Sequence, residues 1–194
     1  MMLMSIAFLM ILMTIYVFTF PKYKTEEVTV AFFGVFYVAV MLSYLYQVRV
    51  MADGKYLVWL IFLSSWGCDT CAYVVGKLIG KKHIFPELSP HKSLEGCIGG
   101  VAGAALIGGL YAHFFVEAAF PDQIITWTIA FICAAGAVMS MVGDLAASAI
   151  KRNHNIKDYG KLIPGHGGIM DRFDSMTVTA PMTYFLAILM IGLR

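Results

Sequence analysis

Charge is scarce in this chain. Only 13% of its 194 residues are charged, whereas a water-soluble domain carries about 25%. That deficit excludes an ordinary soluble fold. A disulfide framework is missing too. Cys68, Cys71, Cys97 and Cys133 lie in or beside apolar runs, and no paired spacing links them. The C-x-x-C spacing of Cys68 and Cys71 falls inside an apolar helix without a second pair, which disfavours zinc or redox chemistry. No soluble domain, linker, low-complexity tract or repeat is visible. The first apolar run has no Lys or Arg before it and no small-residue cleavage site after it, so it reads as a membrane span rather than a signal peptide.

Long apolar runs dominate what remains. Hydrophobic residues make up 60% of the chain, and several runs reach the 18 or more residues that cross a bilayer. The expected fold is all-α: a polytopic membrane helix bundle of about six transmembrane helices with a charged cytoplasmic loop, forming one integral-membrane domain over residues 1–194. The spans are expected at Leu3–Phe20, Val28–Tyr46, Tyr56–Gly76, Cys97–Val116 and Ile124–Val142, with a sixth opening at Asp171 and bent by Pro181. Ala118–Gln123, with Pro121, reads as a tight turn. Gly96, Gly99, Gly100 and Gly103 have the small-xxx-small spacing of close helix packing, and His113 reads as structural. The connections after spans one, three and five carry eleven basic residues against three elsewhere. By the positive-inside rule those connections are cytoplasmic and both termini face outward.

The charge that exists is concentrated. From Ser148 to Asp174, Lys151, Arg152, Lys157, Lys161 and Arg172 stand among Asp158, Asp171 and Asp174, around Pro164-Gly165-His166-Gly167-Gly168. Glycines admit a ligand close to the backbone and bare its N–H groups to anions. Lysine and arginine neutralise phosphates, and carboxylates hold divalent cations. Together they point to chemistry on a phosphate or nucleotide. Upstream, Asp144, Ser148 and Lys151 share one helix face. Asp69 lies inside the third span, where a carboxylate is costly and faces a cavity or a partner. Lys77, Lys81, Lys82 and Lys92 follow in a polar excursion; they suit phosphates or anionic lipid.

The Ser148–Asp174 window resembles the signature of the phosphatidate cytidylyltransferases, also called CDP-diacylglycerol synthases. That signature runs S-x-hydrophobic-K-R, four residues, K-D, a small residue, then P-x-H-G-G-x-x-D-R-x-D. Ser148, Lys151, Arg152, Lys157, Asp158, Gly160, Pro164, His166, Gly167, Gly168, Asp171, Arg172 and Asp174 fall in register without a gap. A separate S-P-x-K-[ST]-x-E-G pattern is matched by Ser89, Pro90, Lys92, Ser93, Glu95 and Gly96, and Gly143-Asp144-Leu145 matches a G-D-L motif. Family members are usually longer, with further spans ahead of this part. The resemblance runs from about Trp66 onward. It divides the chain into two motif-free spans, 1–56, and a catalytic portion, 57–194, with the signature at 148–174.

The resemblance implies that CTP and phosphatidate react to give CDP-diacylglycerol and pyrophosphate. It implies catalytic roles for Asp144, Lys151, Arg152, Asp171 and Arg172. Lys92, Ser148, Lys157, His166, Gly167 and Gly168 are expected to bind substrate; His166 either donates to a phosphate oxygen or braces the loop. Asp144 and Asp171 are the expected Mg²⁺ carboxylates, with Asp174 and Asp69 as further ligands or supports, and two cations are compatible with that set. The partners expected are the two substrates and membrane lipid, without nucleic acid; a homodimer is compatible. The place expected is the cell (inner) membrane, active site toward the cytoplasm. Another CTP-dependent lipid enzyme (a polyprenol kinase or a CDP-archaeol synthase) and a non-enzymatic polytopic protein are the alternatives.

Overall fold

The structure is a computed structural model that describes residues 2–84, 86, 88–90, 92–118, 125–160 and 167–192. Those residues build six helical rods: α1 Met2–Phe18, α2 Thr25–Val50, α3 Gly54–Ile79, α4 Leu94–Val116, α5 Thr126–Asn153 and α6 Met170–Ile191. Each of α2 to α6 is long and apolar enough to cross a membrane, so this is a membrane protein. The 17-residue α1 is about 25 Å long, the short limit for a span. The third span exceeds Tyr56–Gly76 at both ends. The turn expected around Pro121 lies outside the described residues. Val35–Val40, Leu63–Gly67 and Ala112–Val116 are wider π-helical stretches within α2, α3 and α4.

The length of α5 is what carries charge out of the apolar layer. Its 28 residues span about 42 Å, against a hydrocarbon thickness of about 30 Å. The surplus falls at the end bearing Asp144, Ser148 and Lys151. The helix then stops at Asn155, which adopts the left-handed conformation at φ 56°. The Ile156 N–H donates to the Lys151 carbonyl and the Asn155 N–H to the Arg152 carbonyl, both at 3.0 Å. This is a Schellman stop, at a position where asparagine is one of the few residues tolerated besides glycine.

The start of α4 is fixed by side chains. Ser93 is the N-cap, its hydroxyl accepting the Gly96 N–H at 3.2 Å. Glu95 accepts the Lys81 and Lys82 N–H groups at 3.1 and 3.2 Å, tying the preceding loop to the first turn. The motif residues Ser93 and Glu95 thereby hold Lys92 at the helix entrance.

Glycines then set the helix spacing. A Cβ on Gly96 would stand 2.8 Å from the Ala72 carbonyl oxygen, and one on Gly100 3.0 Å from that of Cys68. The α4 glycines therefore lie against the α3 backbone, as small-xxx-small spacing implies. Cys68 and Cys71 are free thiols packed on this seam. Further contacts join α4 to α5, α5 to α6, and α2 to both α3 and α6, while α1 packs on α2. Leu57, Leu60, Ile61, Ile129, Ile132 and Met176 belong to the main buried core.

Candidate active site

Parts of four helices meet where the charge collects. The later half of α3 brings Asp69, the α4 entrance Lys92, the end of α5 Asp144, Ser148 and Lys151, and the first turns of α6 Asp171 and Asp174. Gly143 makes the α5–α6 approach possible, since a Cβ there would lie 3.1 Å from the Asp174 carbonyl oxygen. The Lys92 ammonium is ion-paired with Asp144. The Lys151 ammonium stands 2.9 Å from Asp171 Oδ1 and 3.7 Å from Asp174 Oδ2. Asp174 also lies within electrostatic reach of Asp144 and Asp69. Asp69 in turn feels Asp144, Lys92 and Arg172.

Asp171 organises the signature loop as well as pairing with Lys151. Its Oδ2 accepts the Tyr159 and Gly168 N–H groups, each at 2.9 Å. Tyr159 donates its hydroxyl to the Ala147 carbonyl at 3.2 Å, and the Lys151 ammonium lies 5.2 Å from its ring centroid. Burial pushes the Tyr159 phenol up to about 12, so it remains a donor at neutral pH. Gly167 has φ +79°, and a Cβ on Gly168 would stand 2.9 Å from the Gly160 nitrogen. The first glycine turns the chain and the second lets two backbone segments touch. The Gly168 N–H, expected to face a phosphate, is here engaged by Asp171.

The remaining expected residues surround this centre. Arg152, Lys157 and Arg172 are exposed, and Ser148 is half-buried one turn from both Asp144 and Lys151. His166, with Lys161, Pro164 and Gly165, lies outside the described residues. His113 pairs with Glu117 at 3.0 Å. Glu117 also accepts the Thr126 hydroxyl at 2.6 Å, and this bond chiefly holds its carboxyl below the ordinary range. Together they close the opposite end of the bundle, the structural role expected of His113.

Sequence reasoning missed Tyr37. It comes from α2, which carries no motif, and its hydroxyl is buried beside Thr177, within the field of Asp174, Lys151 and Asp144. Among Phe32, Phe33 and Phe36 it reads as one more lipid-facing ring. The π-helical stretch that contains it left no readable signal.

A cavity of about 210 Å³ opens beside these groups, lined by Asp69, Tyr73, Lys92, Ser93, Cys97 and Met141. Among the described residues no three Asp, Glu, His or Cys side chains form a ready cation cage. Magnesium, however, characteristically takes one or two carboxylates and completes its shell with substrate phosphates and water. This all-oxygen donor set, with lysines to receive phosphate, fits that mode.

Comparison with known proteins agrees with this chemistry. The profile of the "Cytidylyltransferase family" matches residues 1–190. A phosphatidate cytidylyltransferase of Staphylococcus saprophyticus is 34% identical over 183 residues, 94% of this chain and 68% of the relative. That of Bacillus subtilis is 32% identical over 178 residues, 91% of this chain and 64% of the relative. That of Haemophilus influenzae is 40% identical over 133 residues, 68% of this chain and 46% of the relative. The relatives are longer proteins, and the chain aligns with about half to two thirds of their length.

Proposed function

The chain belongs to the cytidylyltransferase family, and from that premise we propose that it transfers the cytidylyl group of CTP to phosphatidate. The products are CDP-diacylglycerol, for phospholipid biosynthesis, and pyrophosphate. The observation that carries this reading is the pairing of two lysines with carboxylates at one end of the bundle: Lys92 with Asp144, Lys151 with Asp171 and Asp174. Such a site meets two polyanions with cations and a divalent ion with carboxylates.

In the reaction, a phosphatidate phosphate oxygen attacks the α-phosphorus of CTP. A new P–O bond forms, and the bond from the α-phosphorus to the α–β bridging oxygen breaks. The electron pair leaves with pyrophosphate. The nucleophile is already anionic, so little general-base help is needed. The obstacle is repulsion between the substrates, which fixed positive charge and oriented donors remove. Lys92 and Lys151 sit where they would neutralise the reacting phosphates. Arg152, Lys157 and Arg172, exposed around them, would take the triphosphate or the lipid head. Tyr159 and Asp171 hold Lys151 in place, and Tyr37 adds a buried hydroxyl within the field of the same groups. Asp144 and Asp171, with Asp174 and Asp69 beside them, would hold Mg²⁺. A bound Mg²⁺ would offset the charge developing on the phosphates. The basic asymmetry of the connections supports an active site on the cytoplasmic face of the cell (inner) membrane.

Purified protein given CTP labelled at the α-phosphate, with phosphatidate, should form labelled CDP-diacylglycerol. Label entering lipid from the γ-phosphate instead would mean kinase chemistry and overturn the reading.

A further inference from the structure

A second cavity adjoins the polar one and is chemically its opposite. It is a groove of about 560 Å³ along the outer face of α4 and α5, walled by Ala102 and Ala105 from α4 and by Val138 from α5. Among the described residues, its one charged lining residue is Lys92. Lys92, Cys97 and Met141 line both cavities and form the boundary between them. From Cys97 to Ala105 the helical rise is about 12 Å. The groove thus leads away from Lys92 into the apolar part of the bundle.

An amphiphile with an anionic head and an apolar tail matches this arrangement. The head would share the Lys92 ammonium with Asp144, at the reacting centre. The tail would follow the apolar walls while remaining at the hydrocarbon level. A second protein copy would cover the apolar walls, but it would have no use for a cation opening into the polar cavity. We infer that the α4–α5 groove holds one acyl chain of the lipid substrate, and that Ala102 and Ala105 determine how far that chain enters. This rests on the transferase reading above and adds to it the element that selects lipid chain length.

The two small side chains make the inference testable. Phenylalanine in place of Ala105 would fill the far end of the groove. Each methylene kept out of an apolar site costs about fourfold in affinity, so excluding two costs about 15-fold. The full chain, reconstituted in mixed micelles, is assayed with dioleoyl- and dihexanoyl-phosphatidate, wild type beside Ala105→Phe. The ratio of kcat/KM for the long over the short lipid should fall about 15-fold. Val138→Trp, a lip residue 49% exposed, should lower the same ratio and serves if Ala105→Phe does not fold. A ratio unchanged in every variant that folds overturns the inference, and the groove is then ordinary lipid-facing surface. An unchanged ratio with an altered oligomeric mass in detergent overturns it in favour of a contact between copies. Failure of the wild type to make any CDP-lipid would instead defeat the transferase reading.

Discussion

Asp171→Asn tests the centre most sharply, because the structure states what the carboxylate does. Among the described residues three donors converge on it: the Lys151 ammonium and the Tyr159 and Gly168 N–H groups, each at 2.9 Å. Its side chain is 4% exposed and that of Lys151 11%. Asparagine keeps one acceptor oxygen and replaces the other with an NH₂ group. If the oxygen stays on the two backbone N–H groups, the NH₂ confronts the ammonium. A charge-assisted hydrogen bond worth about 1.5–3 kcal/mol is lost. Complete orphaning of a buried charge costs about 3–5 kcal/mol, but Asp174 remains 3.7 Å from Lys151. The folding cost is therefore about 2–3 kcal/mol, which lowers Tm without preventing folding. Catalysis suffers more. In the proposed mechanism Lys151 would lose its orientation toward phosphate and Mg²⁺ would lose a ligand, so kcat should fall about 10²–10³-fold, as when one preorganised electrostatic group is removed. Pyrophosphate release at saturating CTP and phosphatidate measures kcat, and a thermal melt in the same detergent measures stability. A folded Asp171→Asn protein whose kcat stays within about threefold of wild type would refute the role assigned to this carboxylate.

Activity should disappear in excess chelator and return with Mg²⁺; full turnover without a divalent cation would remove the metal from the mechanism. Tyr37→Phe removes a buried hydroxyl beside Thr177 within the field of Lys151 and should lower kcat/KM about fivefold, the worth of one ordinary hydrogen bond, with the melt little changed; unaltered kinetics would make Tyr37 a packing residue. Gly100→Leu should abolish activity by wedging α4 from α3, because even a Cβ would stand 3.0 Å from the Cys68 carbonyl oxygen; a fully active variant would show that the close seam does not position Asp69 and Lys92. Asn155→Cys should react with an impermeant maleimide only from the cytoplasmic side and Ala52→Cys only from outside; the opposite pattern would invert the topology.

The sequence alone determined the class of the molecule and the inventory of its chemistry. Apolar runs of bilayer length force helices, because a backbone in hydrocarbon must satisfy its own hydrogen bonds. The spacing of Asp144, Ser148 and Lys151 follows from helical periodicity, and the Gly96–Gly103 spacing already specified a close seam. Ser93 was legible only as a motif position, and its capping of Gly96 came from the structure. Tertiary structure decided which charges meet. Lys92 and Asp144 are 52 positions apart, and no periodicity links an ammonium at the start of one helix to a carboxylate near the end of the next. Tyr37 enters the centre only because α2 packs against α6, a contact invisible in a run of aromatic residues. Whether Gly168 exposes its N–H or offers it to Asp171 depends on where the loop closes. The groove beside Lys92 lies between α4 and α5, where Ala102 and Ala105 present small side chains. Each of these depends on relative helix placement, which is set by packing across the bundle and leaves no mark on the sequence around any one residue.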